Sequence, residues 1–188
     1  MNNKTKTMVG IGLFTAIVVV LQFLGGSIRF GVFSISVVLL PIVVGSAVYG
    51  WKAGAWLGFM FGCAVLLSGD ASAFMVVHPL GTVLTVLAKG TACGFMAGLI
   101  YKLLEKANKF VAVFAAALIC PVVNTGVFLV GCWVFFLETV AEWGRGLGYE
   151  NVAAYMFLGL AGGNFLIEVA VNLLLAPVIV RLIALGKK

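Results

Sequence analysis

Charge is scarce in this chain, and acid is scarcest: of 188 residues only six are Asp or Glu and twelve are Lys or Arg. Globular domains carry about 25% charged residues, and at 10% this chain has too few polar groups to cover a water-facing surface. Histidine occurs once and cysteine four times. Cys63, Cys93, Cys120 and Cys132 each fall singly in an apolar segment, without C-x-x-C spacing or a clustered His. That pattern implies neither a disulfide framework nor a metal site and reads as small packing residues. No G-x-S-x-G, H-E-x-x-H or G-x-x-x-x-G-K-[ST] motif occurs, and no cofactor is expected. Lacking a P-loop, a transporter of this size is driven by a gradient or by partner subunits. The net charge of +6 is spread over short loops with no basic face, which argues against a nucleic-acid partner.

What the chain has instead is length in apolar runs. It is 63% hydrophobic, with a mean hydropathy of +1.21. The expectation is an all-α integral membrane protein, one domain over residues 1–188. Six segments approach the ~20 residues a span requires: 8–25, 34–50, 53–68, 80–103, 110–137 and 153–181. The first, Met8 to Leu24, lacks an A-x-A-like exit and reads as a spanning helix rather than a cleaved leader. Only Trp51-Lys52 separates the second from the third, which predicts a tight helical hairpin. The last two exceed the bilayer thickness and predict tilt.

Loop charges orient the chain. With the N-terminus in the cytoplasm, Lys4, Lys6, Lys52, Lys102, Lys106, Lys109, Arg181, Lys187 and Lys188 fall inside, and only Arg29 and Arg145 outside. The positive-inside rule then places both termini in the cytoplasm of a multi-pass plasma-membrane protein. Three longer outer loops follow, 25–33, 68–79 and 138–152, rich in Gly, aromatic and polar residues. Such loops serve as an interfacial aromatic belt or as the roof of an outward-facing pocket. His78, before Pro79, has no nucleophile motif beside it; it reads as a loop residue or as a ligand contact.

Small residues recur at every fourth position: Gly54, Gly58 and Gly62; Gly90, Gly94 and Gly98; Gly12 and Ala16; Gly159 and Gly163. Ridges of this kind let helix backbones approach closely in lipid. They serve internal packing, or in the first helix a contact with a partner membrane subunit. Two charges lie well inside apolar stretches, Lys89 and Glu168. A lone charge at mid-bilayer depth costs roughly 2.5–3.5 kcal/mol on insertion scales. Asn164, Glu168 and Asn172 follow i, i+4, i+8 spacing and form one polar stripe, and Asn124 lies just after Pro121. Two readings stand: a structural Lys89–Glu168 pair or a Lys that simply snorkels, against a site in the outer half built from the fourth to sixth helices and roofed by loops.

Taken in order, Leu40-Pro41-Ile42-Val43-Val44-Gly45, Tyr49-Gly50-Trp51-Lys52-Ala53-Gly54 through Gly58, Lys89-Gly90 with Gly94, Gly98 and Tyr101-Lys102, then Asn164-x-x-x-Glu168 and Ala176-Pro177 resemble the S components of energy-coupling factor (ECF) vitamin transporters. The resemblance runs over nearly the whole chain and lies nearest the riboflavin and pantothenate branch. It implies high-affinity capture of a micronutrient from outside, association with a membrane coupling subunit and two ATPase subunits, and toppling to release the ligand inside. It also implies ligand contacts from the outer loops and the last three helices, here Lys89, Asn124, Asn164 and Glu168, with Trp133 and Trp143 as stacking walls. The family's small-x-x-x-small contact for the coupling subunit, usually two alanines, reads Gly12-x-x-x-Ala16 here. A Lys beside Asn and Glu suits a polar acid such as pantothenate, and the same groups suit a flavin or a pterin. The competing expectations are a self-sufficient gradient-driven carrier, which inverted repeats would favour, and a small membrane enzyme, for which the six acids are too dispersed.

Overall fold

The computed structural model describes residues 3–25, 29–30, 33–34 and 37–186. Part of the first outer loop, and the Lys187 and Lys188 used in the charge count, lie outside the described residues. Among the described residues the regular structure is helical apart from one short antiparallel ladder. In order it runs α1 (Asn3–Gly25), β1 (Arg29–Phe30), β2 (Phe33–Ser34), α2 (Leu39–Tyr49), α3 (Trp51–Ser68), α4 (Ser72–Val77), α5 (Pro79–Leu104), α6 (Lys109–Phe135), α7 (Leu137–Gly146), α8 (Val152–Ala154), a π-helical segment (Tyr155–Leu160), α9 (Gly162–Leu174) and α10 (Ala176–Gly186). The β1–β2 register pairs Arg29 with Ser34 and Phe30 with Phe33.

Among the described residues, five helical stretches have the length and apolarity to cross a membrane: Lys4–Gly25, Trp51–Ser68, Pro79–Leu104, Lys109–Phe135 and Val152–Leu174. The expected second span, 34–50, is different. Its helix begins only at Leu39 and has 11 residues, about 16 Å at 1.5 Å per residue, roughly half a bilayer core. It is an interior helix, burying Leu39, Ile42, Val43, Val44 and Ala47 among its neighbours. Pro41 stands in its first turn, where a missing N–H leaves no bond unmade. The hairpin turn is a single residue, Gly50, at φ +90°, a left-handed conformation cheap only for glycine. Trp51 and Lys52, expected to form that turn, open α3 instead.

The expected last segment, 153–181, is interrupted twice. Ala161 N donates to Met156 O at 3.1 Å, five residues back, which marks the π-helical turn. A second interruption at Leu175 separates α9 from α10, where Pro177 supplies no amide donor. The outer loops also contain helices that their polarity conceals. In α7, Leu137, Val140 and Gly144 line one side, and Glu138 and Arg145 complement the helix dipole at its two ends.

Two of the glycine ridges face each other. A Cβ on Gly58 would run into the Gly90 carbonyl, one on Gly94 into the Gly54 carbonyl, and one on Gly98 would lie 2.6 Å from the Trp51 Cα. Helices α3 and α5 therefore pack backbone to backbone, with Gly62 opposite the Val86 carbonyl. The main core gathers Val18, Leu39, Ile42, Leu57, Val113 and Ile179 from α1, α2, α3, α6 and α10. A second, separate cluster of Cys132, Phe136, Val140, Tyr155 and Met156 sits at the end where α4 and α7 lie.

Candidate functional site

Between these two cores, α5, α6 and α9 bring charged and amide side chains together. Lys89 projects from α5 with its Nζ 5.8 Å from the Phe61 ring centroid and 5.3 Å from that of Phe128. Two ring faces around one ammonium replace part of its lost hydration. Across the α6–α9 contact, Asn124 Nδ2 donates to Glu168 Oε2 at 3.5 Å, and both residues are buried. Lys89 and Glu168 act on each other electrostatically, yet no ion pair within 4.0 Å joins them among the described residues. They share a region rather than a bond.

The buried acceptors around them are incompletely satisfied. Asn124 Oδ1, Asn164 Oδ1 and Thr85 Oγ1 are inaccessible to solvent and have no hydrogen-bond partner. Each such group costs on the order of 1–3 kcal/mol; Asn124 carries one beside Glu168, and Asn164 carries another one turn before Glu168 on α9. Asn172, the last residue of the stripe, is also buried.

Aromatic rings connect this region to the α4–α7 end. Phe74 packs edge-on against Phe128 at 5.6 Å, Phe136 at 5.0 Å and Trp143 at 5.3 Å. Trp143 is thus linked to Lys89 through Phe74 and Phe128. Trp133 is not brought into the cluster: it is 59% exposed and lines a groove of about 660 Å³ with Glu138, Glu142, Arg145 and Glu150. His78 is exposed and its Nδ1 accepts from Gly81 N at 2.9 Å, capping α5. Among the described residues no group of His, Cys, Asp and Glu is placed to hold a metal ion.

Sequence reasoning missed Phe61, Phe128 and Thr85, whereas Phe74 lies in the outer loop 68–79 read as an aromatic belt or a pocket roof. Two carried a readable signal: Phe128 is one turn after Asn124, and Thr85 one turn before Lys89, so each shares a helix face with a residue already singled out. Phe61 reaches the site only through tertiary packing.

Helix α1 presents two faces. Gly10, Phe14, Val18 and Gln22, every fourth residue, turn inward; a Cβ on Gly10 would strike the Tyr49 ring, and Gln22 Nε2 donates to Asp70 Oδ2. Gly12 and Ala16 are exposed on another face, and a Cβ on Gly12 meets nothing within 4 Å. Met8, Val9, Leu13, Val20 and Leu24 are exposed as well, and α1 is the least buried of the five long helices.

No curated protein matches this chain. A family model described as "ECF transporter, substrate-specific component" matches residues 6–180. That match runs from the first turn of α1 into the first half of α10, including the Lys89–Asn124–Glu168 region and the exposed α1 ridge. The chain belongs to the substrate-specific components of ECF transporters, the membrane subunits that bind the substrate.

Proposed function

We propose that this protein is the high-affinity binding subunit of an ECF importer for a vitamin or related micronutrient, of the pantothenate or riboflavin kind. Lys89, Asn124, Asn164 and Glu168 hold the ligand's polar groups, and Phe74, Phe128 and Trp143 wall it. The observation that carries this reading is the buried, unpartnered Oδ1 of Asn124, whose Nδ2 donates to Glu168, together with the unpartnered Oδ1 of Asn164 one turn before Glu168 on α9. A purely structural pairing of Lys89 with Glu168 gives no reason to leave Asn124 Oδ1 and Asn164 Oδ1 unbonded.

The end bearing α4 and α7 faces outward and both termini face the cytoplasm, as the distribution of Lys52, Lys102, Lys106 and Lys109 favours. The exposed Gly12–Ala16 ridge meets the membrane coupling subunit, which carries two ATPase subunits, and ATP hydrolysis there supplies the energy this chain cannot. His78 serves as a helix cap close to the ring cluster. Trp133 belongs to the outer interface rather than to the ligand wall. Co-expression with and without the coupling and ATPase subunits tests the assignment. Uptake is expected only with them; uptake by this chain alone would make it a self-sufficient carrier.

A further inference from the structure

Resting on the assignment of Lys89, Asn124, Asn164 and Glu168 as the ligand site, the charges and unpartnered atoms there narrow the class of ligand. We infer that the molecule bound at this site carries no net charge and presents a hydrogen-bond acceptor toward α5 and N–H or O–H donors toward α6 and α9, as a planar cyclic amide, imide or ureide does.

The charge argument is a count. Lys89 and Glu168 contribute one group of each sign, and a proton passing between them leaves their sum unchanged. An incoming carboxylate or phosphate would thus add an uncompensated negative group to a balanced pair, in a region of low dielectric that magnifies like-charge repulsion. A neutral ligand disturbs nothing.

Hydrogen bonding leads to the same ligand class on separate grounds. The orientation of Asn124 is set by Glu168, because reversing the amide would place Oδ1 against a carboxylate oxygen. Its acceptor therefore points away from that contact and has no donor. Asn164 Oδ1 is equally unpartnered. Two amide oxygens and a carboxylate ask for donors, whereas Lys89 asks for an acceptor. An ionised carboxylate or phosphate offers acceptors alone. A ring carrying C=O beside N–H offers both along one rigid edge, with little entropy lost on binding, and its face suits the Phe61, Phe128 and Phe74 rings. On the residues alone Lys89 favours a polar acid; the placement of Glu168 and the two unbonded amide oxygens reverses that preference.

The test is to purify the full chain from cells, release whatever small molecule it retains, and identify it by mass spectrometry. Dissociation of that same molecule is then compared between the wild type and Glu168→Gln. A neutral molecule with ring N–H and C=O groups, whose binding weakens at least about tenfold in Glu168→Gln, is the expected result. A retained carboxylate or phosphate ester overturns the inference and leaves the binding-subunit assignment standing, and so does tighter binding in Glu168→Gln. If the wild type retains no molecule and binds none from growth medium, the assignment itself fails and the inference with it. The identity of the retained molecule is read on the wild type, so it decides even where Glu168→Gln does not fold.

Discussion

Asn124 donates to Glu168 across the α6–α9 contact at 3.5 Å while its own Oδ1 stays buried and unbonded. A side chain that both orients an acid and leaves an acceptor free is better suited to receiving a ligand than to sealing two helices together. Replacing Asn124 with Ala removes both functions. Ligand affinity is expected to fall about tenfold or more, in line with about 1.5–3 kcal/mol for a hydrogen bond to a charged group. Equilibrium binding of the co-purified molecule measures it, and unchanged affinity would remove Asn124 from the site.

The two kinds of glycine ridge make opposite forecasts. Gly58→Ala pushes a methyl into the Gly90 carbonyl, and overpacking of this kind destabilises by about 1–3 kcal/mol. A lowered midpoint for thermal unfolding in detergent is the expected sign. Gly12→Leu meets open space and leaves both that midpoint and ligand binding unchanged, while transport with the partner subunits drops. Equal loss of binding and transport in Gly12→Leu would place this ridge in the interior.

His78 separates capping from ligand contact. His78→Ala is expected to destabilise by about 0.5–2 kcal/mol through the lost α5 cap, and His78→Asn to restore most of it, because an Asx oxygen accepts the same Gly81 amide. Ligand affinity changes little in either variant. A large affinity loss in His78→Asn with stability retained would assign His78 to the ligand instead.

Phe128 sits between the ring cluster and Lys89. Phe128→Leu keeps the apolar volume but removes the ring face, worth about 0.5–2 kcal/mol to a partly desolvated ammonium. Weaker ligand binding with insertion intact is expected, read by titration of the purified protein. An effect confined to thermal stability would make Phe128 a packing residue.

The sequence made the helices legible wherever apolar length alone decides, as in α1, α3, α5 and α6. It misplaced α2 because its run of apolar residues says how buried a segment is, not how long its helix runs. Charge within α7 hid an amphipathic helix, since loop and surface helix share a composition and differ only in spacing. Lys89 and Glu168 stood out because charge inside a span is costly. Phe61 did not, because an aromatic in an apolar run is unremarkable until folding decides which ring faces which charge. The two small-residue ridges of α3 and α5 looked like that of α1; only the Cβ directions, toward carbonyls in one case and toward open space in the other, separate them.

The central claim is that Glu168 belongs to a ligand site and not merely to a structural pair. Native mass spectrometry of the full chain and of Glu168→Ala, read beside thermal unfolding, tests it most directly. The account predicts a single small molecule on the wild type and its loss from Glu168→Ala, with the variant still inserted and folded. Retention of the molecule by Glu168→Ala, together with a large drop in stability, would contradict it.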